Sequence, residues 1–167
     1  MAEKTHTPFV HLHTHTHYSL LDGLSKPAEL VKLAKEFDMK AIAITDHGAM
    51  YGAIDFYQAC KKSDIKPIIG IEAYVANRTR FDKEAGIDNK RYHLTLLAEN
   101  MQGYKNLIKL TTAANLEGYY YKPRMDKMLL REYAEGIIAL SGCPAGELGR
   151  AILREQDMDH AKEIIKE

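Results

Sequence analysis

Residues 9–23 read FVHLHTHTHYSLLDG, and the alternation in this stretch decides how the rest of the chain is read. If the run is extended, His11, His13, His15 and His17 share one face and Val10, Leu12 and Thr14 the other, because successive strand side chains point to opposite sides. Four imidazoles on one face are costly unless something uses them. Like residues at this spacing lie roughly 6.6 Å apart along a strand, near enough for two to converge on one metal ion where the strand ends. Sites in parallel α/β architectures gather at the C-terminal edge of the strands, which favours His13 and His15. His11 is then deeper, in the core or behind the ligands, and His17 turns outward. A polar strand edge or the remnant of an added tag is the plainer account of the run, but PFV before it and YSLLDG after it read as native sequence.

Outward from this stretch, short Val/Ile/Leu-rich runs alternate with helical patterns, the signature of an α/β domain with helices packed on a parallel sheet. The expected strands are 9–13, 40–45 (KAIAIT), 66–75 (KPIIGIEAYV), 92–98 (YHLTLLA) and 136–141 (GIIALS). A helix is predicted over Pro27–Asp38, with Leu30, Val31, Leu33, Ala34 and Phe37 on one face, Ser25 as cap and Pro27 in the first turn. Further helices are predicted at 51–62, 103–115, 126–134 and 144–155, and an amphipathic stretch runs from Asp157 to the end without a stop signal. The charged segment 77–91, NRTRFDKEAGIDNKR, reads as a solvated surface loop. No repeat or low-complexity linker divides residues 1–167, so they read as one domain or part of one.

The strand ends carry the candidate chemistry. ITDHG places Asp46 and His47 at the end of the second strand, where the acid orients the imidazole or shares a metal, or else caps a turn beside an exposed histidine. Glu72 lies inside the apolar run GIEAYV, where a buried acid needs a partner or a metal, unless the strand is an edge. His93 sits in the fourth strand, as a ligand or a satisfied core histidine. Cys143 follows the fifth strand, where a thiolate suits a borderline-soft metal. Asp22 in SLLDGL belongs to the same edge, although Asp-Gly is also a turn signal. Histidines, carboxylates and a thiol suit Zn²⁺, Mn²⁺ or Fe²⁺ better than Ca²⁺, and this many donors exceed one tetrahedral site. Adjacent divalent ions of this kind serve phosphoester hydrolysis.

Composition narrows the classes. With 46% apolar and 28% charged residues the chain is ordinary globular protein, and Lys+Arg balances Asp+Glu at 23 each. Net charge alone therefore does not drive tight nucleic-acid binding, and any contact must be local. Locally, GYYYKPR at 118–124 interleaves aromatics with cations, so Tyr120, Lys122 and Arg124 are candidates to stack on and neutralise a single strand; packed tyrosines beneath a loop are the plainer account. Neither a signal-peptide pattern nor a membrane-length apolar run is present, and the chain reads as cytoplasmic with no membrane partner. Cys60, inside a helical pattern, reads as a small core residue.

Together, HLHTHTHYSLLDG, AITDHG, IKPIIGIEAYV, YHLTLLA and IALSGC resemble the polymerase and histidinol phosphatase (PHP) superfamily, in the branch that opens the alpha subunit of bacterial DNA polymerase III. LEGYYYKPRMD resembles the corresponding stretch of that branch. The likeness spans essentially the whole chain. It implies a distorted TIM-like (β/α)7 barrel holding three divalent ions, with ligands at His13, His15, Asp22, His47, Glu72, His93 and Cys143. In that arrangement Glu72 would bridge two ions, His13 and His15 would hold one, Asp22 and His47 a second, and His93 with Cys143 the third. Cys143 stands where the phosphatase branch has histidine. The family's barrel continues past the position of Glu167 and supplies an Asp and a His there, so an incomplete barrel and metal centre are expected.

The activity that the resemblance implies is metal-dependent 3′ to 5′ exonuclease proofreading of a DNA primer strand. Its implied partners are the remainder of the alpha subunit and a proofreading subunit. Two alternatives stand beside it. One is a free-standing phosphatase of histidinol-phosphatase type, recognised by hydrolysis of small esters but not DNA. The other is a non-catalytic, metal-stabilised scaffold, recognised by melting that collapses on chelation without any esterase activity.

Overall fold

The computed structural model describes residues 9–166. Its organising element is a long strand, β2 (Lys66–Ala76), whose two halves have different neighbours. The first half pairs in parallel with β1 (Ala41–Ile44), from Ala41 opposite Lys66 to Ile44 opposite Ile69. The second half pairs antiparallel with β3 (Arg91–Ala98), from Gly70 opposite Leu97 to Ala76 opposite Arg91. A hairpin of β4 (Tyr119–Tyr120) and β5 (Lys122–Met125) joins through β5, parallel to β2 at Tyr74 and Val75. The last strand, β6 (Ile137–Leu140), runs antiparallel to β3 and forms the far edge of the sheet.

The architecture is thus α/β, a TIM-like barrel that does not close between its edge strands β4 and β6. The strand pairing differs from the all-parallel expectation. A parallel neighbour needs a long crossover, and the 77–90 connection contains no helix; it returns the chain beside β2 in the opposite sense. An apolar cavity of about 480 Å³, lined by Leu94, Leu96, Leu130, Ile137 and Ile164 among others, lies beneath β6.

Two apolar clusters hold the layers. α1 (Pro27–Glu36) and α2 (Ala53–Ser63) pack Val31, Ala34, Phe56 and Cys60 on Ile42 and Ile44 of β1. Cys60 is fully buried, as expected of a core residue, and burial pushes its thiol up to about 11. α3 (Met101–Leu116) packs Leu107, Leu110 and Ala114 on Ile71, Ala73 and Leu96. α4 (Lys127–Glu132), α5 (Glu147–Arg150), a π-helical turn at Ala151–Glu155 and α6 (Met158–Lys166) complete the chain.

Helix starts follow local chemistry. Asn100 and Asp126 cap α3 and α4 by accepting the Gly103 and Leu129 main-chain N–H groups, satisfying donors that the first helical turn leaves free. α1 begins differently from expectation. Pro27 sets its first turn without a side-chain cap, and Ser25 uses its main-chain carbonyl to accept the His17 N–H. Within α1, Val31 and Ala34 are buried while Leu33 and Phe37 remain about half exposed, so its apolar face is narrower than the periodicity suggests.

Residues 9–13 do not form a strand. The segment follows β1 through single bonds, Ala43 N–H to His11 O and Thr45 N–H to Thr14 O, and bends at Leu12–His13. With the two-residue period broken, the four histidines no longer share a face. His11 is exposed with its ring edge against Phe9, rather than deep in the core, and His17 is exposed against Tyr18.

The 77–90 connection is not merely solvated. Arg124, fully buried, donates to the carbonyls of Gly118, Arg80, Asp82 and Asp88. Asp88, also fully buried, pairs with Arg78, and Arg80 pairs with Asp126 at the head of α4. A guanidinium presents five donors in a rigid fork, so one side chain bolts the connection to the β4–β5 hairpin. At the hairpin tip Tyr121 takes a left-handed φ of 60°, a conformation that costs an L-residue roughly 1–2 kcal/mol.

Arg124→Met should therefore strand the carbonyls of Arg80, Asp82 and Asp88, while that of Gly118 keeps the main-chain N–H of residue 124. A buried group deprived of its partner costs about 1–3 kcal/mol, so chemical denaturation should show a loss of at least about 3 kcal/mol. Limited proteolysis of the same variant should open the 77–90 connection first.

Candidate metal centre

Glu72 points from the middle of β2 with 3% of its surface exposed, and four histidines from three separate segments close on its carboxylate. On one oxygen, Oε2, His13 Nε2 lies at 2.6 Å and His15 Nε2 at 3.3 Å. On the other, Oε1, His47 Nδ1 and His93 Nδ1 both lie at 2.9 Å. The sheet register accounts for the second pair. His47 forms a parallel bridge with Glu72, and His93 stands opposite Tyr74, one residue pair along the same face. Asp22 extends the cluster, with its Oδ2 2.8 Å from His47 Nε2.

Burial alone would push the Glu72 carboxyl up, but the imidazoles of His15, His47 and His93 around it outweigh this and hold the group far below the ordinary carboxylate range. The hydrogen bond to Glu72 is the largest influence on His47. Partial burial opposes it, the charges of Glu72 and Asp22 reinforce it, and the imidazole ends above its ordinary 6.5.

The turn that follows His15 is held from behind by Asp46. This carboxylate, 1% exposed, accepts the Thr16 N–H at 2.6 Å, the Thr16 hydroxyl at 2.8 Å and the Ser19 hydroxyl at 2.7 Å. Ser19 in turn accepts the His47 N–H at 3.1 Å and faces His15 Nδ1 at 3.2 Å. A serine hydroxyl has one proton, and Asp46 takes it, so His15 Nδ1–H must be the donor to Ser19. This hydrogen-bond logic assigns the tautomer and leaves the His15 Nε2 lone pair free, 3.1 Å from His13 Nε2. The turn closes tightly at Gly23, where a Cβ would stand 1.8 Å from the Thr16 carbonyl oxygen.

Two imidazole nitrogens and a carboxylate oxygen of His13, His15 and Glu72 lie within 4.8 Å of one another. Ligand atoms about 2.0–2.2 Å from a tetrahedral ion sit roughly 3.3–3.6 Å apart. His15 is already within about half an ångström of that spacing from both His13 and Glu72, and the His13–Glu72 pair, at 2.6 Å, would have to spread by roughly 0.7–1 Å to hold one. The donor set fits a divalent metal ion. His47, Asp22 and His93 adjoin it through the shared Glu72.

Cys143 is not among the three donors that lie within 4.8 Å of one another. It lies in the turn after β6, where its Sγ accepts the Ala145 N–H at 3.4 Å, and the turn packs on the main chain of His93. The candidate strand-binding residues also divide. Arg124 is buried with its donors spent on carbonyls, so it presents no cation at the surface, and Tyr120 lies against its guanidinium. Lys122 extends toward Tyr74, its Nζ 5.7 Å from the ring centre.

The PHP domain family profile matches residues 11–167. This chain belongs to the PHP domain family. It is 50% identical over 158 residues to the DNA polymerase III subunit alpha of Borreliella burgdorferi, covering 94% of this chain and 14% of that protein. It is 48% identical over 163 residues to the same subunit of Thermus aquaticus, covering 95% and 13%. The chain thus spans about one seventh of the length of these curated relatives. Among solved structures, an amidohydrolase from Chromobacterium violaceum aligns with TM-score 0.46 at 22% identity, over 63% of this chain and 32% of that one. Among the described residues, no helix is long and apolar enough to cross a membrane.

Within this PHP domain, residue-type reasoning had no signal for Thr16 and Ser19, which carry no distinctive motif. Asp46 was visible as an acid beside a histidine, yet its carboxylate organises a turn instead of touching His47.

The metal-free domain should show an inverted pH response around His47. A histidine whose folded value is raised stabilises fully below its ordinary 6.5 and loses that contribution as pH rises through the folded value. Glu72, held low, stays ionised across that window. Melting in EDTA should therefore fall from about pH 6 to about pH 8, and His47→Asn should flatten the fall.

Proposed function

We propose that this chain is the opening PHP portion of a bacterial DNA polymerase III alpha subunit, and that its metal centre hydrolyses phosphodiesters at the 3′ end of a primer strand. The convergence of four histidines on Glu72 carries the reading. Identity near one half with polymerase subunits across most of the chain favours the polymerase branch over a free-standing phosphatase.

Divalent ions, of Zn²⁺, Mn²⁺ or Fe²⁺ type, would supply Lewis-acid polarisation of the phosphoryl group. His13, His15 and Glu72 would hold one, and Asp22, His47 and His93 would complete neighbouring positions, three in all with Cys143. Glu72 does the positioning, since its two oxygens fix four rings at once. His15 is held in its ligating tautomer by Ser19 and Asp46. His47 is held in place between Glu72 and Asp22. The remaining polymerase, a proofreading subunit and primer DNA are the corresponding partners.

The test is primer shortening by the complete alpha subunit, loaded with Mn²⁺ or Zn²⁺. A Glu72→Gln variant loses the second carboxylate oxygen and should cut the rate at least about a hundredfold, the usual scale for disrupting metal support. Equal residual rates for parent and variant would exclude the hydrolytic role.

A further inference from the structure

The β4–β5 hairpin carries features that neither the sheet nor the metal centre requires. Its tip residue, Tyr121, occupies a left-handed backbone conformation that glycine or asparagine would adopt freely. A tyrosine is held there with 67% of its surface exposed, its ring edge-on to Tyr120 at 4.7 Å. Tyr119, one strand position before Tyr120, is 55% exposed. The hairpin is nevertheless rigidly placed. Arg124 ties it to three carbonyls of the 77–90 connection, and Pro123 packs so near Gly48 that a Cβ on that glycine would stand 3.0 Å from its ring. Gly48 follows His47 directly, so the hairpin is fixed beside the metal centre.

Two cations complete the strip. Lys122 Nζ lies 5.7 Å and Arg91 Cζ 5.3 Å from the centre of the Tyr74 ring. Tyr74 itself stands between them and the centre, 5.4 Å from the His93 ring and 6.2 Å from that of His47. Neither cation is neutralised: no carboxylate of a described residue is within ion-pair distance of Lys122 or Arg91. Arg91 donates to the Asn89 carbonyl and keeps a buried Nε without a partner. An exposed aromatic tip, two cations without ion-pair partners over the buried Tyr74 ring, and a cluster of metal-type donors thus lie in order toward Glu72.

We propose that the β4–β5 hairpin is a guide for single-stranded nucleic acid, in which Tyr121 stacks a base while Lys122 and Arg91 neutralise the phosphate next to the one entering the metal centre. The inference rests on the phosphodiesterase reading of that centre and names the residues that would hold its strand. Aromatic stacking with backbone neutralisation is how single strands are held without sequence preference. Of the three residues that the motif at 118–124 suggested, Lys122 keeps this role. Arg91 takes the place of buried Arg124, and Tyr121 that of packed Tyr120.

The test is binding of a fluorescein-labelled oligothymidylate to the full chain in EDTA, where no hydrolysis intervenes. Tyr121→Ala should weaken binding at least about fivefold, since stacking contributes about 1–3 kcal/mol per base, while Tyr121→Phe retains it. Lys122→Gln should lower the slope of log affinity against log salt by about 0.7, the value for one phosphate on a single strand. Both variants should melt with the parent. Parent-like binding by Tyr121→Ala, or a Tyr121→Phe variant as weak as it, would overturn the guide, as would equal displacement of the strand by polyglutamate. Strand binding that depends on Tyr121 in a protein without esterase activity would uphold the guide and remove the hydrolytic reading. Ester hydrolysis without strand binding would do the reverse.

Discussion

One carboxylate, that of Glu72, is the point on which the domain converges. It is buried in the central strand and touched by four imidazoles that arrive from the opening segment, the end of β1 and the antiparallel neighbour β3. An ionised acid in such a place is tolerable only because each oxygen has two nitrogen partners. The arrangement crowds ring nitrogens around one carboxylate, with His13 and His15 at 3.1 Å, a hydrogen-bond distance. A divalent cation offsets both the crowding and the charge, which is how metal binding couples to folding in sites of this kind.

Support behind the donors determines their geometry as much as the donors do. Asp46 accepts three hydrogen bonds from Thr16 and Ser19, and through Ser19 it reaches both His15 and the His47 main chain. Arg124 does the same for the other side of the site, where the hairpin and the 77–90 connection would otherwise lack a common anchor. Neither side chain bonds to a ligand side chain, yet both hold irregular backbone where regular hydrogen-bond ladders are missing.

Much of this was legible in the residues themselves. Periodicity placed every α-helix of the described chain to within a few residues, and alternation placed β1, β2, β3 and β6, because long apolar faces leave little choice of element. The donors His13, His15, Asp22, His47, Glu72 and His93 stood out as polar groups in or beside apolar strands. What was not legible depended on tertiary partners. The opening histidines looked like a strand, but the chain bends at Leu12–His13, and Asp46 holds the turn that follows His15. The antiparallel sense of β3 is set by a connection whose folding rests on a cation 36 residues away from Asp88 in sequence. Arg124 looked like a surface cation for the same reason, since only the fold reveals four carbonyls waiting for it. Cys143 stands at a strand end, as its pattern suggested, and its turn packs on the His93 backbone.

The central claim is that His13, His15 and Glu72 form a divalent-metal site with Glu72 as its shared carboxylate. Anomalous diffraction from crystals grown with Mn²⁺, collected with data sensitive to that element, tests it most directly. The account expects a peak equidistant from His13 Nε2, His15 Nε2 and Glu72 Oε2, with the two histidine nitrogens moved apart from their present separation. Peaks only at surface carboxylates, or none within bonding reach of Glu72, would contradict it.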